Sequence, residues 1–310
     1  MRAAQVTGFG GTENMKVTGD VAKPTAGEGQ ILVEVHAASI NPFDWKVMTG
    51  QAGTDLPLPA TLGGDVAGVV AEVGPNVEGF EAGQEVYGQA NAMSGQGSFA
   101  EFTPVKASQL GTKPHNTDFV AAAALPLTAA SVYQALVDTL HLGEGQKILI
   151  HGGAGGIGSL AIQLAKHLGA YVATTASPND VDYVKQLGAD EVIDYTADKF
   201  EEKLHDYDAV YDTVGGDTYT RSFEVLKSGG QIVSMLEQPD EELAKQHGVT
   251  ALHQFTAVTP ERLSAITKLV EDSILTPTVD RTFPLDQAPE AMEYLHSSHH
   301  RGKVVLKVKE

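Results

Sequence analysis

The chain of 310 residues contains no cysteine. That excludes disulfides, a thiol nucleophile and every cysteine-ligated zinc site, and it is compatible with a reducing compartment. Basic residues are also few: 21 Lys and Arg stand against 40 Asp and Glu, a formal net charge of −19. Such a surface repels nucleic-acid phosphates and anionic lipid, so neither is expected as a partner. Any anionic ligand must then be held by local features against the global field. Long apolar runs are missing too. No stretch approaches the ~20 apolar residues of a membrane span, and the start MRAAQVTGFG lacks the apolar core of a secretion signal. The expectation is a soluble cytoplasmic protein. Two catalytic signatures are absent: there is no G-x-S-x-G elbow for a hydrolase, and no glycine loop ends in Lys-Ser/Thr as a P-loop does.

The chain is long enough for two domains and a large core. Residues 1–110 read as β-rich. Apolar runs such as Gln30 to Val35 and Val66 to Val73 alternate with Gly and Pro turn signals, and Gly83 to Gly88 and Gly97 to Phe102 continue the rhythm. A small barrel or sandwich is expected there. The texture changes near Asp118. Helical spacing runs over 118–140, and from Lys147 onward strands and helices alternate. Strands are predicted at Lys147 to His151, Tyr171 to Thr175, Glu191 to Asp194, Tyr207 to Asp212 and Gln231 to Met235. Helices are predicted at Gly156 to Leu168, Val181 to Leu187 and Thr218 to Leu226. Short apolar strands between helices indicate a parallel sheet covered on both faces. Thr282 to Leu285 and Lys303 to Val308 return to the first texture and are expected to rejoin the N-terminal domain. The expected division is therefore 1–120 with 275–310 as a β-rich domain, and 121–274 as a doubly wound α/β domain.

Gly153, Gly155 and Gly158 match G-x-G-x-x-G within His151 to Gly158. The pattern means little alone. Here it follows a strand and opens a helix, the context in which such a loop binds a dinucleotide. The first glycine permits the turn, the second admits a pyrophosphate to the backbone, and the third allows close helix–strand packing. Free N–H groups and the helix dipole then hold the phosphates. An acid ending the second strand would select NAD through the ribose 2′-OH. That strand instead ends Thr174-Thr175-Ala176-Ser177, small hydroxyl residues that leave room for a 2′-phosphate. NADP(H) is favoured over NAD, although Asp180 and Asp182 lie close in sequence and no basic residue does.

With those residues in view, the chain resembles the zinc-independent medium-chain dehydrogenases/reductases, in the quinone oxidoreductase group that includes zeta-crystallin and the plant enone reductases. The resemblance spans nearly the whole chain. It is carried by Ala38 to Lys46, Gly63 to Gly68, Gly97 to Glu101, Leu125 to Thr128, the loop at 151–158 and Gly302 to Val305. It implies a GroES-like catalytic domain, a Rossmann domain, an active site in the cleft between them, and hydride transfer from NADPH to a quinone or an α,β-unsaturated carbonyl. It also suggests a homodimer through the sheet edge of the nucleotide domain. Zinc-bearing relatives have a cysteine at the position of Asn41 and a histidine at that of Gly64; neither ligand is present here.

By the family's motif, Asn41 and Lys46 face the nicotinamide or substrate and Thr128 sits near the nicotinamide. Gly155, Gly156 and Ile157 meet the pyrophosphate, with Gly153 and Gly158 shaping the loop. Ser177 and Tyr195 lie near the adenosine ribose phosphate. Many members carry a lysine just past Ser177, where this chain has Asn179 and Asp180. Taken alone, Lys46 reads as a solvated lysine and Asn41 as a turn residue before Pro42; only the family pattern gives them a role. No protein proton donor stands out, so solvent is the expected source. Asp65 reads as a turn residue, Tyr87 as core, Thr128 as a cap of the helix that follows, and His296, His299 and His300 as solvated. Two rival readings of the glycine loop remain: an NADPH-binding sensor or structural protein with little turnover, and a methyltransferase binding S-adenosylmethionine.

Overall fold

The computed structural model describes residues 1–309. The chain divides into two compact units, Met1–Ala130 with Val258–Ser273 and Pro277–Glu310, and Ser131–Ala257 with Ile274–Thr276.

The first unit is built on short antiparallel strands: β1 (Ala3–Val6), β2 (Met15–Thr18), β3 (Gln30–Ile40), β4 (Ala60–Thr61), β5 (Asp65–Val73), β6 (Glu85–Gln89), β7 (Phe102–Lys106) and β8 (Leu110–Thr112). Helix α1 (Pro42–Thr49) follows β3 directly. Pro42 presets its first turn and Gly50, at φ 80°, ends it. The helical pattern over 118–140 is broken in two, α2 (Phe119–Ala123) and α3 (Pro126–Tyr133), with a π-helical turn at Gln134–Thr139. Pro126 explains the break, because the residue before a proline is disfavoured in helical geometry.

The second unit holds six strands: β9 (Lys147–Ile150), β10 (Tyr171–Ala176), β11 (Glu191–Asp194), β12 (Tyr207–Asp212), β13 (Leu226–Ser234) and β14 (Thr250–His253). All pair in parallel, in the order β11-β10-β9-β12-β13-β14. Numbered from β9 this is 3-2-1-4-5-6, the doubly wound order, and it reverses direction between β9 and β12. The helices are α4 (Gly156–His167), α5 (Val181–Gln186), α6 (Phe200–Lys203), α7 (Asp217–Arg221) and α8 (Glu241–His247). Helix α7 is shorter than the Thr218–Leu226 pattern predicts. It tightens into a 3₁₀ turn at Ser222–Val225, and β13 begins at Leu226, five residues before its predicted start. Asp240 caps α8 through the Glu242 and Leu243 amides, as its acidic start suggests.

The chain then returns to the first unit through α9 (Pro260–Glu271), β15 (Val279–Pro284), α10 (Ala288–Ser297) and β16 (Lys303–Lys307). Strand β16 pairs antiparallel with β3, matching Val304 with Ile40. The larger sheet runs β15-β16-β3-β5-β6-β8, with β7 also on β3. Its core is aliphatic and includes Ile31, Val33, Val66, Phe99, Met292 and Leu306.

Candidate active site

In the second unit, the turn from β9 into α4 lies at the reversal of strand order. Gly155 stands at the N-terminal boundary of α4, and no side chain caps that end. The first N–H groups of a helix have no partner within it. The amides of Gly156, Ile157 and Gly158 are therefore available to an anion, and the dipole of a 12-residue helix favours one. The glycines are dictated by space. A Cβ on Gly153 would stand 2.2 Å from Thr174 Oγ1, and one on Gly158 2.2 Å from the carbonyl oxygen of Gly152.

His151 holds the turn from below. It is fully buried. Ser222 Oγ donates to the Thr218 carbonyl (2.6 Å), so it accepts from His151 Nε2 (2.9 Å). Thr175 Oγ1 accepts from Gly152 N (3.1 Å), and its own proton serves His151 Nδ1 (3.2 Å). The ring is thus the neutral Nε2–H tautomer, and burial pushes its pKa down to about 4. A base with a lowered folded pKa binds fewer protons folded than unfolded between pH 4 and 6.5. This contribution to stability is complete above pH 6.5 and is lost as pH falls toward 4. The shift corresponds to about 3 kcal/mol. Urea denaturation across that window should show the loss, and His151→Gln should remove that part of the slope.

Beside the turn lies a cavity of about 410 Å³ lined by His151, Gly152, Thr175, Tyr195, Val214 and Arg221, among others. Tyr195 is exposed. Ser177 donates its hydroxyl proton to Asp180 (2.6 Å), so that proton is already committed. Arg221, from α7, is the cation that inspection of the β10 end does not reveal. It is held by Glu201 (3.0 and 3.1 Å) and lies over the Phe200 ring. It stands 44 residues beyond Ser177 in sequence (221 − 177), so no local motif announces it.

In the first unit, a buried polar cluster forms where β3, β5 and β16 meet α1. Asp65, the first residue of β5, is fully buried. Its carboxylate accepts from Ser39 Oγ (2.8 Å), Asn41 Nδ2 (2.8 Å) and the Leu127 amide (3.0 Å). The turn reading of Asp65 is therefore wrong. Antiparallel register between β3 and β5 carries it to Ser39, a relation that local sequence does not contain. Lys303 Nζ donates to the Ile40 carbonyl (2.7 Å) and to Asn41 Oδ1, and stands 3.8 Å from Asp65. Asp44, also buried, accepts from the Asn41 amide N–H (2.7 Å). Burial pushes Asp44 up to about 7. Burial likewise raises Asp65 and lowers Lys303, each opposed by the other's charge.

Asn41 is thus buried at the extended N-cap of α1, while Lys46, inside the helix, is exposed. Thr128 does not cap the helix that follows it; its hydroxyl donates back to the carbonyls of Ala124 (2.7 Å) and Leu125 (3.3 Å). Tyr87 is core, with its hydroxyl on the Leu263 carbonyl (2.8 Å). His296 is exposed but stacks on Trp45 at 3.8 Å.

A doubly wound sheet with a glycine turn at its switch point defines a dinucleotide-binding unit. Residues 27–115 match the family described as alcohol dehydrogenase GroES-like domain, and residues 187–306 the one described as zinc-binding dehydrogenase. The chain is 37% identical to the 2-methylene-furan-3-one reductase of Solanum lycopersicum and 37% identical to the chloroplastic NADPH-dependent alkenal/one oxidoreductase of Arabidopsis thaliana. Each match covers 99% of this chain and 79% of the relative. The solved quinone oxidoreductase of Coxiella burnetii superposes with a TM-score of 0.91 at 35% identity, covering 100% of this chain and 99% of that one. The chain belongs to the medium-chain dehydrogenase/reductase superfamily, in its quinone oxidoreductase and enone reductase group, and is an oxidoreductase. No helix among the described residues is long and apolar enough to cross a membrane.

The second family description names zinc, and the residues do not fit it. Gly64 has no side chain, and the Asn41 amide is taken by Lys303 and Asp65. The Lys303 ammonium stands beside that amide and would repel a second cation. Among the described residues no group of three His, Cys, Asp or Glu could hold a metal.

Proposed function

We propose that the chain is an NADPH-dependent reductase of small quinones or α,β-unsaturated carbonyls that works without zinc. The observation that carries this reading is the uncapped, glycine-lined start of α4 at the strand-order reversal. The names of the relatives support the substrate classes, and the alkenal/one oxidoreductase supports the dinucleotide.

The α4 amides grip the pyrophosphate. Tyr195 and Arg221 shape the cavity for the adenosine end, and Arg221 supplies a positive charge that suits a 2′-phosphate. When bound, NADPH supplies the hydride. Reduction then needs a donor for the oxyanion or enolate that develops on the acceptor. Asn41 serves through its amide and Lys46 as a mobile cation, with Thr128 beside the nicotinamide and solvent supplying the proton. Steady-state oxidation of NADPH and NADH against a panel of quinones and enones tests the reading. Turnover should favour NADPH, and its absence with every acceptor would leave only a binding protein. Lys46→Ala should lower kcat by roughly tenfold with NADPH affinity intact; unchanged kcat would remove Lys46 from the mechanism.

A further inference from the structure

The Asn41 side chain offers an accepting oxygen and two amide protons. Oδ1 accepts from Lys303, and one Nδ2 proton goes to Asp65. The second Nδ2 proton has no acceptor among the described residues, although Asn41 is only 4% exposed. An amide can ordinarily turn over and exchange its oxygen with its nitrogen. Here that turn would set the NH₂ against the Lys303 ammonium and the oxygen against the Asp65 carboxylate, so two charges fix one orientation.

We propose that Lys303 and Asp65 are positioning residues for the Asn41 amide, fixing it so that its second Nδ2 proton is the hydrogen bond the acceptor receives. This deepens the proposed function and rests on its assignment of Asn41 to the acceptor. The arrangement does more than orient. An ammonium bonded to Oδ1 draws electron density through the amide and strengthens the N–H as a donor, because linked hydrogen bonds polarise one another. The Asp65 charge offsets the ammonium. The acceptor then meets, besides the mobile Lys46, a polarised neutral donor held in one orientation. Sheet register supplies the geometry: pairing Val304 with Ile40 sets Lys303 opposite Asn41.

The test uses a charge-balanced double variant, Lys303→Met with Asp65→Asn, which removes both charges and avoids an orphaned buried ion. It is compared with Asn41→Ala and with the triple variant on the full chain. The proposal predicts that Asn41→Ala lowers kcat for a quinone by ~10²-fold, as loss of one preorganised donor does. The double variant should fall to a similar level with the NADPH Kd within about twofold of wild type. The triple variant should be no slower than Asn41→Ala, since the charges act through that amide. Lys303→Arg, which keeps a cation and a donor, should restore part of the loss. Wild-type kcat in the double variant, or losses that multiply in the triple one, would overturn the positioning role. Wild-type kcat in Asn41→Ala would instead remove Asn41 from the acceptor, and the positioning role with it. An independent check needs no buried-charge variant. In ¹⁵N-labelled wild type, the Asn41 side-chain amide, assigned by its loss in Asn41→Ala, should exchange with deuterium slowly. Exchange at the rate of a free amide would contradict a locked amide.

Discussion

Gly158→Ala is expected to lose NADPH affinity by ~10²-fold, close to 2.7 kcal/mol of binding, and to lower the melting temperature as well. A Cβ at Gly158 would stand 2.2 Å from the Gly152 carbonyl oxygen and 2.8 Å from both the Gly152 carbonyl carbon and Gly153 Cα. All three are backbone atoms of the phosphate-binding turn, so relief requires the turn itself to move. Overpacking of this kind costs about 1–3 kcal/mol of stability. Gly155→Ala is the discriminating control. Its Cβ would meet nothing nearer than 3.4 Å, so the fold should hold while the methyl occupies the face the pyrophosphate approaches. Melting curves with a fluorescence titration of NADPH separate the two cases. Equal stability losses would contradict the clash at Gly158, and unweakened NADPH binding in both variants would mean that the turn is not the phosphate site.

The second large effect is on stability. Lys303→Met is expected to cost about 3–5 kcal/mol, because it leaves Asp65 buried without its counter-ion. Adding Asp65→Asn should recover much of that loss, which lost lysine packing alone would not allow. Asp44 adds a pH dependence. An acid with a folded pKa near 7 and an unfolded value of 3.8 binds more protons folded than unfolded between those limits. Stability from this group therefore falls as pH rises from about 4 to 7 and is level above, a total near 4 kcal/mol. His151 slopes the other way over pH 4 to 6.5, so only the difference between wild type and Asp44→Asn isolates the effect. In urea denaturation, the Asp44→Asn substitution should destabilise the protein less at pH 8 than at pH 5. No pH dependence of that difference would mean that Asp44 is not held protonated.

What was legible in the sequence is what is local. The β9 turn and α4 follow from adjacent glycines and an apolar stripe, and the structure puts them at those residues. The Asp240 cap and the Tyr87 core position are likewise written in nearby residues. The site residues contributed by register and long connections are not. Asp65 looks like any Gly-Gly-Asp turn until β5 is laid against β3. Lys303 looks like the polar start of an apolar strand until β16 sets it opposite Asn41. Arg221 reaches the cavity only because β12 and α7 follow β9 and β10 in the fold. Thr128 has a hydroxyl that serves a cap or a back-bond equally well in sequence, and the break at Pro126 decides between them. Helix α9 carries a local signal, Thr259 capping and Pro260 opening an amphipathic run, but nothing in it tells that it packs with the first unit and not with the α/β domain expected to run to residue 274.

The central claim is that backbone amides at the start of α4 hold a dinucleotide diphosphate inside an anion-repelling molecule. Equilibrium titration of the purified chain with NADPH, read by nicotinamide fluorescence and repeated with NADH, tests it most directly. The account predicts saturable binding with NADPH tighter than NADH, weakened by Gly158→Ala. No affinity for either reduced nicotinamide would contradict it.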